Sequence, residues 1–193
     1  MVLFTLSELM DIIIMTLGVG YIFSGSFKKP VVHHDPVAYY RQLSFGFNKE
    51  DFKHAVILTA PAVILHELMH KFVALAFGMT AVFHAAYTWL GLGLLMKIMN
   101  FGFIFFVPGY VAISGPGTQL QYVLTAFAGP FTNFLLWIIP VMMIRYNKVS
   151  KKQYALAFMT SKINMFLFIF NMVPLPFFDG GKVFGGLIKM VLG

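Results

Sequence analysis

Long apolar segments set the main constraint on what this chain can fold into. An α-helix needs about 20 mostly apolar residues to cross the hydrocarbon core of a bilayer. Four segments reach that length, at residues 3–25, 55–78, 119–145 and 153–173. Only 11% of the 193 residues are charged, whereas soluble domains carry about 25%. The sequence therefore predicts an all-α polytopic membrane protein with a bundle of about four to six transmembrane helices.

The charge distribution fits a bilayer better than it fits a nucleic acid. The net charge is +7, but no basic run is interleaved with aromatic residues on a soluble surface. Lysines and arginines flanking apolar segments are typical of membrane proteins. We predict a single domain over residues 1–193, with an N-terminal segment and polar loop at 1–54 and a core at 55–193.

The remaining segments are too polar or too interrupted to cross a bilayer unaided. Residues 26–54 read as a loop with a short interfacial helix near 36–43. Residues 81–98 are consistent with a helix, whether or not it crosses completely. Residues 102–113 carry β-forming residues on both sides of Pro108-Gly109, which predicts a membrane-associated β-hairpin. A hairpin cannot leave its edges facing lipid, so we expect it to line an enclosed cavity or lie at the interface.

One motif inside the second apolar segment has the spacing of a metal site. His66, Glu67 and His70 form an H-E-x-x-H pattern. Residues four apart share a helix face, so both imidazoles can bind one metal ion. Zinc suits imidazole ligands, and Glu67 would then take a proton from a bound water. The simpler alternative is a buried hydrogen-bond cluster, because ionisable groups in a membrane helix are costly unless they are paired or metal-bound.

A third protein ligand is required, and the residues alone leave several candidates. There are no cysteines, so the ligand must be His, Asp or Glu. The candidates are Glu8, Asp11, Asp179 and His84. Asp179 lies in a break rich in proline and glycine, where a side chain can approach a metal from outside helical geometry. The less favoured alternative is that it caps the N-terminus of the last helix.

Three motifs together resemble the site-2 protease family of intramembrane zinc metalloproteases. They are H-E-x-x-H-x-x-x-A-x-x-x-G at 66–78, G-P-F-T-N at 129–133 and N-x-x-P-x-x-x-x-D-G at 171–180. The resemblance covers roughly residues 55–190 and is closest to a minimal archaeal or bacterial form, without a recognisable PDZ or CBS domain. Met69 stands where the family often has glycine, but no ligand is lost there.

The resemblance implies a zinc endopeptidase in the cell membrane that cuts membrane-anchored proteins within or near the bilayer. His66, His70 and Asp179 would bind one Zn²⁺, and Glu67 would activate water. Asn133 would position the substrate or stabilise the oxyanion.

The expected partners are the lipid bilayer and a transmembrane protein substrate, not nucleic acid. The hairpin at 102–113 would bind the substrate as an added strand.

Two other functions fit parts of the sequence, and further polar positions have structural explanations. A protease with a later glutamate as third ligand is disfavoured, because no glutamate follows Glu67. The wider alternative is a non-catalytic zinc-binding membrane protein or a metal transporter. Lys162, in the middle of the fourth segment, would snorkel, face a cavity, or pair with Glu8 or Asp11. His33-His34-Asp35 is interpreted as part of a solvated loop.

Overall fold

Six helices and a two-stranded sheet make up the part of the chain that the computed structural model describes, which is residues 3–26, 48–101 and 107–192. In chain order these elements are α1 (Leu6–Phe23), α2 (Lys49–Ala76), β1 (Thr80–Ala85), α3 (Tyr87–Ile98), β2 (Gly109–Ser114), α4 (Gln119–Arg145), α5 (Tyr154–Asn171) and α6 (Asp179–Leu192). The interfacial helix predicted near 36–43 and the loop residues His33, His34 and Asp35 lie outside the described residues.

Three of the described helices are long and apolar enough to cross a membrane. They are α1, α2 and α4, at three of the four segments that the sequence predicts. The fourth segment does form a helix, α5, but Ser161, Lys162 and Asn164 in its middle make it more polar. The largely helical bundle with a small sheet confirms the predicted fold class.

Helix α4 occupies the centre of the bundle, where it packs against α2, α5 and α6. Helix α1 packs on the other side of α2 and on β1. Many large apolar side chains of α1 and α4 face outwards, among them Leu6, Ile13 and Ile139. An apolar exterior is costly in water but suits contact with lipid. Several polar side chains of these helices, among them Glu8, Asp11 and Asn133, are buried instead.

The small sheet is present, but the turn predicted at Pro108-Gly109 is wrong, because Gly109 is already the first residue of β2 and lies opposite Ala85 of β1. Residues 102–106, the first half of the predicted hairpin, lie outside the described residues. Strand β2 pairs antiparallel with β1, in a register that runs from Thr80 opposite Ser114 to Ala85 opposite Gly109. Residues 81–85 of the helix predicted over 81–98 form most of β1, and the helix begins only at Tyr87. The left-handed backbone of Gly78 (φ +77°) follows the end of α2. Alternate burial along TAVFHA then stabilises an extended strand.

A buried ion pair fixes α1 against the outer edge of the sheet. The Lys71 ammonium donates to the Glu8 carboxylate, and both side chains are 2% exposed. The same Glu8 carboxylate accepts the Phe83 backbone N–H at 2.8 Å and closes a capping box with Thr5. Breaking a buried pair of this kind costs about 3–5 kcal/mol. The outer edge of β1 is therefore engaged by α1.

The opposite edge of the sheet faces a cavity. The Phe83 N–H points away from β2, and Val111 is the residue opposite Phe83. In an antiparallel pair, the backbone N–H and C=O groups of two opposed residues either bond to each other or both point away from the partner strand. The backbone groups of Val111, and of Ile113 two residues on, therefore point away from β1. Both residues line the central cavity of the described bundle.

Candidate metal centre and active site

Two imidazoles and one carboxylate converge between α2, α4 and α6. His66 and His70 lie one turn apart on α2, with their Nε2 atoms 3.1 Å from each other. Asp179 is the first residue of α6. Its Oδ2 atom lies 3.1 Å from His66 Nε2 and 3.2 Å from His70 Nε2. The two histidines are almost fully buried, and the Asp179 side chain is 12% exposed.

The other nitrogen of each imidazole is bound to an oxygen that accepts its proton. His70 Nδ1 donates to the Thr125 carbonyl oxygen at 2.7 Å. His66 Nδ1 donates to Asn133 Oδ1. Since Nδ1 carries the proton in both rings, each neutral ring presents a lone pair at Nε2. Two lone pairs and a carboxylate oxygen then face one point.

The orientation of Asn133 is set by two hydrogen bonds on its far side. Its Nδ2 donates to the Ala62 carbonyl oxygen at 3.1 Å and to Asn164 Oδ1 at 2.8 Å. A backbone carbonyl can only accept, so the amide nitrogen must face it and Oδ1 must face His66. Asn133 is fully buried. It thereby links α2, α4 and α5 at the level of the two imidazoles.

These three donors fit a zinc ion by chemistry and by spacing. Zinc takes imidazole nitrogen and carboxylate oxygen at about 2.0–2.2 Å, so ligands in a tetrahedron are about 3.4 Å apart. The three atoms here are separated by 3.1–3.2 Å. Three electron-rich atoms this close repel one another unless a cation or added protons lie among them. His66, His70 and Asp179 form a group that can hold a metal ion.

The carboxyl of Asp179 is ionised in this setting. Burial raises the pKa of the Asp179 carboxyl, but protons on the Nε2 atoms of His66 and His70, which a metal cation would replace, would donate to the carboxylate and lower its pKa well below the usual range. Lys182 Nζ lies 3.4 Å from the second carboxylate oxygen, Oδ1. An ionised carboxylate is the form that binds a metal cation.

Glycine provides the space in which the two imidazoles meet α4. A Cβ atom built on Gly129 would overlap His70 Nε2 and lie only 2.6 Å from His66 Nε2. Gly129 and Asn133 are four residues apart and so share the face of α4 that meets α2. The G-P-F-T-N motif therefore places a gap and a hydrogen-bond acceptor against the same two rings.

A cavity of about 990 Å³ opens onto this centre. The side chains of His66, Glu67 and Asp179 all line it. Its other walls come from β2, α4, α5 and α6 and are mostly apolar. Glu67 is 9% exposed, and that exposure opens into the cavity. A water or a peptide within the cavity can therefore reach both the metal-ligand group and the Glu67 carboxylate.

The structure brings the predicted residues His66, Glu67, His70 and Asp179 together and separates the other candidate ligands from them. Glu8 pairs with Lys71. Asp11 accepts a hydrogen bond from the Tyr87 hydroxyl and lies 3.8 Å from His84 Nδ1. Of the four open candidates for a third ligand, only Asp179 reaches the two imidazoles.

Two contributors to the centre could not be identified from the motifs alone. Thr125 acts through its backbone carbonyl, which no side-chain pattern can reveal. Asn164 holds the Asn133 amide from α5. A polar residue in the middle of an apolar helix is the one signal that could have pointed to Asn164.

Comparison with known proteins identifies relatives of this chain. A model of the family described as "Peptidase family M50" matches residues 139–193, which include Asp179. The chain is 32% identical over 181 residues to "Putative zinc metalloprotease MJ0611" of Methanocaldococcus jannaschii, covering 93% of this chain and 84% of that protein. The chain belongs to peptidase family M50, the site-2 protease family.

M50 membership confirms the predicted resemblance and identifies the chain as a zinc metalloprotease, a peptide hydrolase. A second relative, "Zinc metalloprotease MJ0392" of the same organism, is 25% identical over 138 residues. That match covers 71% of this chain but only 35% of the relative. No solved structure matches the chain significantly. M50 proteins are membrane-embedded, in agreement with the three helices that are able to span a bilayer.

Proposed function

We propose that this M50 member is an intramembrane endopeptidase of the cell membrane that cuts membrane-anchored proteins within or near the bilayer. His66, His70 and Asp179 would hold one Zn²⁺ per chain. A single observation carries the proposal. Two imidazoles whose Nδ1 protons are committed to oxygen acceptors converge with an ionised carboxylate, beside a cavity and inside a bundle with spanning helices.

The chemistry divides between the ion and Glu67. When bound, zinc supplies Lewis-acid chemistry that lowers the pKa of water to about 7 and polarises a carbonyl. Glu67 follows His66 directly on α2 and opens into the same cavity. Its carboxylate accepts a proton from the attacking water and delivers it to the leaving amine. The hydroxyl of the water becomes part of the new carboxylic acid and its proton goes to the new amine, so atoms and charge balance.

The substrate would bind as an added strand on β2. A helical substrate hides its peptide bonds, so the segment that is cut must become extended, and its freed backbone groups need partners inside the membrane. The outward backbone groups of Val111 and Ile113 offer such partners along the cavity wall. The far edge of the sheet is engaged by Glu8. Addition of a strand is therefore favoured at β2.

Asn133 is better explained as a positioning residue than as an oxyanion donor. Both hydrogens of its amide are used by Ala62 and Asn164, and its oxygen accepts from His66. We predict that Asn133→Leu weakens zinc binding by about 10- to 100-fold, the effect typical of losing a partner of a metal-bound histidine. Competition with a chelator of known affinity measures this change.

Thr132→Val is the matched control for that variant, because the neighbouring Thr132 hydroxyl bonds only within α4, to Ala128. It is expected to bind zinc as the wild type does. If Asn133→Leu kept wild-type zinc affinity while kcat fell, Asn133 would act on the substrate, as the family resemblance implied.

The proposed function is tested with purified full-length protein in lipid vesicles and a membrane-anchored test substrate. We expect about one zinc per chain by elemental analysis, together with cleavage that stops on chelation and returns when zinc is added. A chain that binds zinc but never cuts any membrane-anchored substrate would be a non-catalytic zinc protein. Movement of zinc across the vesicle bilayer would instead indicate a transporter. Either result would overturn the proposal.

A further inference from the structure

Helix α5 presents a regular stripe of side chains to the cavity. The lining residues of α5 recur every three or four positions, the spacing of one helix face: Met159, Lys162, Ile163, Phe166, Leu167, Phe170 and Asn171. Within this stripe, Lys162 is the one charged residue. The Lys162 side chain is therefore part of the cavity wall.

Lys162 lies near the depth of the metal-ligand group. It is the ninth of the 18 residues of α5. Asn164, two residues on, binds Asn133, which in turn binds His66. Two helical residues correspond to about 3 Å along the axis. A cation on this stripe is thus close to the level at which a peptide bond would be cut.

No carboxylate of the described residues pairs with Lys162. The acids that the sequence offered as partners are used elsewhere: Glu8 by Lys71 and Asp11 by Tyr87. Among the side chains that the structure describes, Lys162 contacts the ring of Phe158, with Nζ 5.6 Å from its centroid. A cation in the middle of an apolar helix is costly, and such residues usually face a cavity and serve a function there.

The other charges of the cavity have local explanations. Lys182 lies beside Asp179. Lys189 is in the last turn of α6, where a cation is favoured by the helix dipole. Glu67 and Asp179 belong to the reaction centre. Among the described residues of the cavity wall, Lys162 is therefore the lysine with neither a carboxylate partner nor a helix C-terminus beside it.

We infer that Lys162 binds the carboxylate of an Asp or Glu side chain in the transmembrane segment of the substrate. This inference rests on the proposed protease function and specifies its substrate class: a segment with an acidic residue near the bond that is cut. An acidic side chain is itself costly in a membrane helix. An ion pair between this side chain and Lys162 lowers the cost of burying both charges. Substrates with an acidic residue at this position should therefore bind more tightly than substrates without one.

The experiment uses two membrane-anchored substrates that differ only by Glu or Gln near the cut site. Wild-type protein should prefer the Glu substrate. Lys162→Met should lower kcat/KM for the Glu substrate by about 10- to 100-fold, mainly through KM, and leave the Gln substrate nearly unchanged. Lys162→Glu should restore cutting of a third substrate with Lys at that position. An equal loss on the Glu and Gln substrates would overturn the inference and point to a structural or lipid-binding role.

Binding measured without cleavage separates this inference from the proposed function. In a Glu67→Gln background, the Glu peptide should bind more tightly than the Gln peptide, and Lys162→Met should abolish the difference. Lys189→Met is the matched control, a second lysine of the same cavity that should preserve the preference. If Lys189→Met removed the preference equally, the overall charge of the cavity would be responsible and the assignment to Lys162 would be wrong. A binding preference without cleavage by wild type would defeat only the protease proposal.

Discussion

Glu67→Gln is expected to retain zinc and to lose cleavage. Glutamine has nearly the size and shape of glutamate, so the packing of α2 beside His66 and His70 should persist. Its amide cannot accept the proton of the attacking water, and general acid–base catalysis contributes about 10²–10⁴-fold to rates. We therefore expect kcat to fall by about that factor while the zinc content stays at the wild-type level.

The assay for Glu67→Gln combines elemental analysis with single-turnover cleavage of a membrane-anchored substrate. Glu50→Gln is a suitable control, because Glu50 lies in the first turn of the same helix and is exposed. It should cut at the wild-type rate. Wild-type cleavage by Glu67→Gln would exclude Glu67 as the base and require another proton acceptor in the cavity.

Local patterns were sufficient to predict the residues that converge in the candidate metal centre. The i, i+4 spacing of His66 and His70 inside a helical segment fixes their common face whatever surrounds them. Asp179 was one of four candidate ligands until the resemblance to the site-2 protease family implied it. The apolar lengths of α1, α2 and α4 predicted the spanning helices for a similar reason, since a bilayer imposes a length on each helix separately.

The partners of these elements could not be predicted in the same way, because they depend on contacts distant in sequence. Residues 79–118 are largely apolar but broken by glycine and proline, so periodicity did not separate a helix from a strand until β1 was seen to pair with β2. The Glu8–Lys71 pair joins residues 63 positions apart, whereas the sequence had offered Glu8 as one of the partners of Lys162. Asn133 was assigned to the substrate, although its neighbours turn it towards His66.

Gly129→Ala is expected to remove zinc binding although it changes no ligand. The added methyl group would occupy the position at which His70 Nε2 and His66 Nε2 approach α4. Those atoms are the metal-binding ends of the two rings, so the rings must rotate or α2 must move away from α4. A displacement of about 1 Å can cost 10²-fold in rate, even when it arises away from the chemistry. We expect a cleavage loss of at least about that size, together with loss of zinc.

Gly185→Ala provides the matched comparison, since a Cβ atom at this helical glycine of α6 meets nothing within 4 Å. It should retain both zinc and activity. Circular dichroism and size-exclusion chromatography would show that both variants are folded, so that zinc loss by Gly129→Ala alone can be assigned to the rings. Wild-type zinc affinity in folded Gly129→Ala would mean that the imidazoles do not need this gap. The hydrogen bonds to Thr125 and Asn133 would then be sufficient to hold the two rings against α4.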